Sequence, residues 1–398
     1  MHLFRNWWIA ICLVAVFTTV DAQRHIVVNF YKDPFEADLS ADKIELPQQL
    51  TPAGLQKAYQ QLNTSQYQPL INALLAYKAT HQLNDWLYYQ LIRHTAQQIA
   101  PKQDNYPLYT FYKWLMLSRS GYDARLALSH QKIIFYVYNN EEIKDIPYFM
   151  VDEKQFVCLN IHDYAYANLN TDPPVPVLLP VPEKVIPFSY KVTLMPDFTP
   201  AGDVEKSMSF RYGQQTYHFK IRLNTNQQAA FNNYPGVSFE TYFNIPLSRE
   251  TYSSLIPTLK SVLKGMDEKK GIDYLMRFTR YAFLYEDDQE NYGRERRLSP
   301  GETLAATYSD CDDRAALFFF LVKELYNLPM IAMLYPTHIT MAVGFNKPVG
   351  EAVNYNGKVY TVCEPTPQAE DLHIGQLSAK LKNQPFQIVY AYEPSVHK

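Results

Sequence analysis

Apolar residues recur at helical spacing from Thr51 to about Ser120: Leu70, Leu74 and Leu75, then Trp86, Tyr89 and Ile92, then Tyr112, Leu115 and Met116. Thr51 before Pro52 predicts an N-cap with proline in the first turn, and Gly121 predicts the end of the last helix. Residues 24–48 read as extended and irregular. Two β-rich runs follow, Ala124–Leu128 and Ile133–Tyr138. Pro173, Pro174, Pro176, Pro180, Pro182 and Pro187 then crowd a stretch that predicts a linker. Beyond it, Ser189–Leu194, Ser207–Tyr212, Thr216–Leu223 and Val237–Phe243 predict strands, with Gly213-Gln214 as a hairpin turn. Helices resume near Ser248 and again from Asp267 to about Phe283. In the last third, Ala315–Leu325 predicts a helix capped by Ser309 or Asp310. Strands are expected from Pro329 to Leu334, His338 to Phe345, Val359 to Glu364 and Phe386 to Tyr392.

This order predicts an α+β protein of 398 residues. We divide it into residues 1–22, an N-terminal helical and mixed domain over 23–172, the proline-rich linker 173–187, a β-rich segment 188–247 and a C-terminal domain 248–398. Hydrophobic residues make up 47% and charged residues 19%, enough for real cores. The net charge of −3, with scattered lysines and arginines, argues against nucleic acid as a partner. The 32 tyrosines and 22 phenylalanines suit core packing and tyrosine-lined clefts that bind peptide or sugar.

The first 22 residues predict an export signal. Arg5 supplies the positive charge, Trp7–Val20 the apolar run, and Val20-Asp21-Ala22 a cleavage site before Gln23. The run is short of the roughly 20 residues that span a bilayer, so no stable membrane span is expected after cleavage. The expected location is periplasmic or extracellular. Cys158, Cys311 and Cys363 would remain, an odd number that leaves at least one free thiol or an intermolecular bridge, with a Cys158–Cys363 pair left open. No cofactor is expected. No metal-binding spacing occurs among the ten histidines, and glycine is sparse, with no phosphate loop.

Candidate chemistry rests on Cys311, His338 and Glu364, spaced by 27 and 26 residues. Cys311 opens a helix, where unpaired N–H groups favour a thiolate. His338 opens a strand, with Thr340 and Ala342 on its face. Glu364 ends the next strand and is placed to orient the imidazole if the strands pair antiparallel. Asp310, Asp312 and Asp313 oppose a thiolate by like charge, and Arg314 is the candidate offset.

The segment Tyr308-Ser-Asp-Cys311-Asp-Asp-Arg-Ala-Ala-Leu-Phe318 resembles the cysteine-helix motif of transglutaminase-like, papain-related proteins. Tyr335-Pro-Thr-His338 with Thr340–Val343 resembles their histidine strand, and Tyr360–Thr366 their acid strand, with glutamate where aspartate is usual. Phe278–Tyr285, with Gly293 and Glu295, resembles the segment preceding the cysteine helix in bacterial members. The resemblance covers about residues 250–380. It implies Cys311 as nucleophile, His338 as base and Glu364 as orienting acid, acting on a peptide or protein amide through an acyl-enzyme. The backbone N–H of Cys311 would donate to the oxyanion, with Gln289 or Tyr292 as candidate second donors. The alternative is a peptide- or glycan-binding module on the same fold. The helix-to-strand passage Phe111–His130 also resembles Leu317–Tyr335, so the first half is a candidate degenerate copy, with Asn105 opposite Cys311 and Lys132 opposite His338.

Overall fold

The structure is a computed structural model, and it describes residues 24–164, 173–286 and 296–394. The export signal, Gln289, Tyr292, Gly293 and Glu295 lie outside these residues. The fold is α+β. Helices Asp85–Ile99 and Tyr106–Arg119 bury most of their side chains, the second on nearly every face. Asn84 and Asn105 cap their first turns, accepting the N–H groups of Leu87 and Leu108.

Two five-stranded antiparallel sheets dominate. The first contains Ala124–Ser129, Lys132–Asn139, Tyr148–Val151, Lys154–Cys158 and Val175–Val177. The second contains Met330–Tyr335, His338–Val343, Ala352–Tyr355, Lys358–Cys363 and Gln387–Tyr392. Numbered within each sheet in chain order, both have the spatial order 3-4-2-1-5. Each sheet follows a long helix, Tyr106–Arg119 in the first case and Cys311–Tyr326 in the second.

The hairpins also match. Ser129 pairs with Lys132 and Tyr335 with His338, so Lys132 stands where His338 stands. The fourth residue of each second strand faces the end of the fourth strand: Leu159 N–H bonds Phe135 O, and Met341 pairs with Cys363. Asn160 therefore takes the place of Glu364. The helix match differs by one residue from the sequence alignment. Asn105 is the N-cap, like Asp310, so Tyr106 rather than Asn105 is the counterpart of Cys311.

Other expectations change as well. The proline-rich stretch is not merely a spacer, because Val175–Val177 forms the edge strand of the first sheet beside Leu126–Leu128. An edge tolerates Pro176, which lacks an N–H. Ser189–Leu194 is not a strand, although Tyr190 and Val192 are buried. Val237–Phe243 is a strand only at Gly236–Val237. Ser238 then caps a helical turn, Phe239–Phe243, in which Phe243 packs on Phe319 and Tyr390. One continuous apolar core runs from Ile26 to Cys363, so the segments predicted as separate domains share their interior. The Trp86 indole donates to Ala230 O across them at 2.9 Å.

Two histidines in the first half are held neutral. Burial lowers His94, stacked on Phe30, to about 4, with Arg93 adding to the effect. Burial likewise lowers His162 to about 4, against the pull of Asp163. A folded pKa below the unfolded value of about 6.5 makes protons favour the unfolded chain. Their contribution to stability is therefore complete above pH 6.5 and is lost as pH falls towards 4. The thermal midpoint is expected to drop over that window in scanning calorimetry. His94→Phe should shrink the drop, and an unchanged profile in that variant would refute the assignment.

Candidate active site

The cysteine helix begins in a double cap. Asp310 Oδ1 accepts the N–H groups of Asp312 (3.0 Å) and Asp313 (3.3 Å), while Asp313 Oδ2 accepts that of Asp310 (3.4 Å). Asp313 Oδ1 takes the Leu298 N–H and the Tyr242 hydroxyl. Two of the three carboxylates around Cys311 are thus committed to the scaffold. Asp312 is the third. Its Oδ2 lies 3.1 Å from Arg297 Nε, and its Oδ1 accepts the Cys311 S–H at 3.6 Å.

Arg314 shares its field with Asp313 and Asp310, whose charges raise its pKa against the larger effect of burial. Its guanidinium is fully buried, donating to the carbonyls of Ser309, Thr279, Arg280, Phe283 and Leu284. It ties the cysteine helix to the end of helix Glu268–Tyr281 and to the short strand Leu284–Tyr285.

Cys311 is half-buried and its thiol lies at the start of the strand that begins at His338, in reach of the Ile339 N–H. Burial pushes its thiol well above the ordinary value. The charges of Asp312 and Asp310 push it further, and the Ile339 N–H acts in the opposite sense. His338 is the first residue of its strand, with only 12% of its side chain exposed. Its Nε2 lies 2.8 Å from Oε2 of Glu364, which is fully buried. The other carboxylate oxygen of Glu364 accepts the Thr366 N–H at 2.8 Å, and its main-chain carbonyl accepts a bond from Arg280 Nη2. This arrangement leaves Nδ1 as the ring nitrogen available to a thiol.

The antiparallel pairing of Met341–Val343 with Thr361–Cys363 brings Glu364 to the imidazole. With Asp310 holding the N–H groups of Asp312 and Asp313, that of Cys311 remains for a developing oxyanion. Cys158, Cys311 and Cys363 are all free, and Cys158 and Cys363 are buried in different sheets, so they do not pair.

Sequence reasoning missed Arg297, Arg280 and Tyr242, because their roles depend on contacts from 15 to 84 residues away. A cavity of about 490 Å³ lies against the first sheet near Tyr136, Phe149 and Leu178. Another of about 1050 Å³ lies at the tip of the long hairpin. Neither is lined by Cys311, His338 or Glu364. Compared with family models, curated proteins and solved structures, the chain matches none.

Proposed function

We propose that this chain is an exported, transglutaminase-like protein: a cysteine-dependent amide hydrolase or acyltransferase acting on peptide-like material. The observation that carries the reading is the 2.8 Å bond between His338 and buried Glu364, beside a thiol at a helix N-terminus. Fold alone does not set a reaction, so the argument rests on the site. The first half, with Tyr106, Lys132 and Asn160 at the equivalent positions, is read as an inactive copy.

In this mechanism His338 Nδ1 takes the thiol proton as sulfur attacks the amide carbonyl. The carbonyl oxygen becomes an oxyanion facing the Cys311 N–H. The imidazolium gives its proton to the departing nitrogen, the C–N bond breaks, and a thioester remains. Water or an amine then attacks the thioester, losing a proton to His338, and the product leaves with return of the thiol. Glu364 holds the ring and stabilises its charged form. A high thiol pKa couples sulfur attack to proton uptake by His338. No helix among the described residues is long and apolar enough to cross a membrane.

A non-catalytic binding module is the second reading. It is favoured by the Asp312 contact to the sulfur, which opposes a standing thiolate.

The test uses the chain lacking residues 1–22, with dimethylcasein as acyl donor and dansylcadaverine as amine. Dansyl incorporation and release of ammonia are read in parallel. Wild type is expected to show one or both, and Cys311→Ala neither, with an unchanged melting midpoint. Wild-type rates no higher than those of Cys311→Ala would refute the enzymatic reading.

A further inference from the structure

The ionisable groups near the Cys311 sulfur have different duties. Asp310 and Asp313 are spent on the helix cap, and the Tyr242 hydroxyl donates to Asp313. Arg314 shares its field with those two acids. His338 belongs to the hairpin and is bonded to Glu364, whose charge also reaches Tyr335. Asp312 is the carboxylate that touches the sulfur, and its ion-pair partner is Arg297.

Arg297 is held on three sides. Its Nε lies 3.1 Å from Asp312 Oδ2, and its Nη1 donates to Val237 O at 3.1 Å. The guanidinium stands 4.2 Å over the ring of Phe239. Val237 is fixed in turn by its pairing with Ile143, in the first half of the chain. A planar fork with a carboxylate on one nitrogen and a carbonyl on another has little freedom to turn. It occupies Oδ2 of Asp312 and leaves Oδ1 to the thiol.

The side chains of Arg297 and Asp312 are only 18% and 13% exposed, so water and salt screen the pair weakly. An aspartate left alone in such a place would oppose a thiolate with nearly its full charge. With a guanidinium on its far oxygen it presents a dipole instead, and loss of the thiol proton is opposed less. We propose that Arg297 is a positioning residue of the thiol site: it holds Asp312 against Cys311 and compensates its charge, so that the sulfur can ionise. The assignment rests on the reading of Cys311 as nucleophile. Alkylation reports on the thiol itself, however, so a chain that proves inactive towards amides leaves the test intact.

The test is the rate of Cys311 alkylation by iodoacetamide between about pH 6 and pH 10, in the chain lacking residues 1–22. Modification is read on the Cys311 peptide by mass spectrometry, and melting curves check the fold of each variant. Arg297→Gln keeps a donor and loses the charge. Its whole profile is expected to move to higher pH, with a rate about threefold lower at pH 7, the lost thiolate being partly offset by greater nucleophilicity. Arg297→Lys keeps the charge and should recover most of that rate. Asp312→Asn removes the charge that Arg297 compensates, so adding Arg297→Gln to it should change the rate little. The same shifts are expected in His338→Ala, which separates them from the role of the imidazole as base. A folded Arg297→Gln with the wild-type profile, or with one moved to lower pH, would overturn the proposal. So would an equal slowing in the Asp312→Asn background, because Arg297 would then act without Asp312. If Arg297→Gln alone does not fold, Asp312→Asn and the double variant, in which neither charge is left unpaired, carry the test, and unequal rates between them overturn the proposal.

Discussion

Iodoacetamide alkylation of Cys311 at pH 7 is expected to fall about a hundredfold in His338→Ala, the scale of a lost general base. The thiol is raised by burial and by the charges of Asp312 and Asp310, so without a base it stays protonated at neutral pH. In His338→Ala the rate should climb only above the roughly 8.5 of free cysteine. In wild type the imidazole receives the proton, and reaction should begin well below that value. Asp312→Asn tests the same charges with the opposite sign. Removing the carboxylate next to the sulfur lowers the thiol pKa. The gain in thiolate is partly offset by its weaker nucleophilicity, leaving a net rate increase of about threefold at pH 7. If wild type and His338→Ala react equally slowly with one shared midpoint, the thiol is not activated and the binding reading takes precedence.

Arg314→Met is expected to lower stability by about 3–5 kcal/mol, because several buried carbonyls lose their donor together. Burial lowers the arginine to about 10, so it is still charged at pH 7, and its compensation comes from the charges of Asp313 and Asp310 together with those carbonyls. Arg314→Lys should recover little of the loss. An ammonium offers three donors at one point, whereas the guanidinium spans Ser309, Arg280 and Leu284 from a planar fork. Chemical denaturation with a fluorescence readout measures both effects. A Met variant within about 1 kcal/mol of wild type would show that the carbonyls find other donors or water.

Much of the second half was legible because its signals are local. Asp310, one of the two expected N-caps, caps the helix together with Asp313, and Pro336-Thr337 separates two strands that pair residue by residue from Tyr335 and His338. Elsewhere the local signal pointed the wrong way. The aromatic run Phe239–Phe243 has strand propensity, but Ser238 caps it into a helical turn in which Phe243 packs on Phe319 and Tyr390. Val175–Val177 sits among prolines and was read as a spacer, yet an exposed sheet edge at Leu126–Leu128 recruited it.

By itself the sequence determined the α+β class, the caps, the hairpin turns and three residues carrying thiol, imidazole and carboxylate. Each follows from preferences acting within a few positions of the chain. Only the tertiary structure decided that Glu364 meets His338 Nε2, that Asp312 rather than Arg314 touches the sulfur, and that the two sheets repeat one topology. It also placed Asp273 and Asp371, 98 residues apart, on a single guanidinium. Such partners are set by packing, through burial and charge compensation between distant segments, and no local pattern in the chain encodes them.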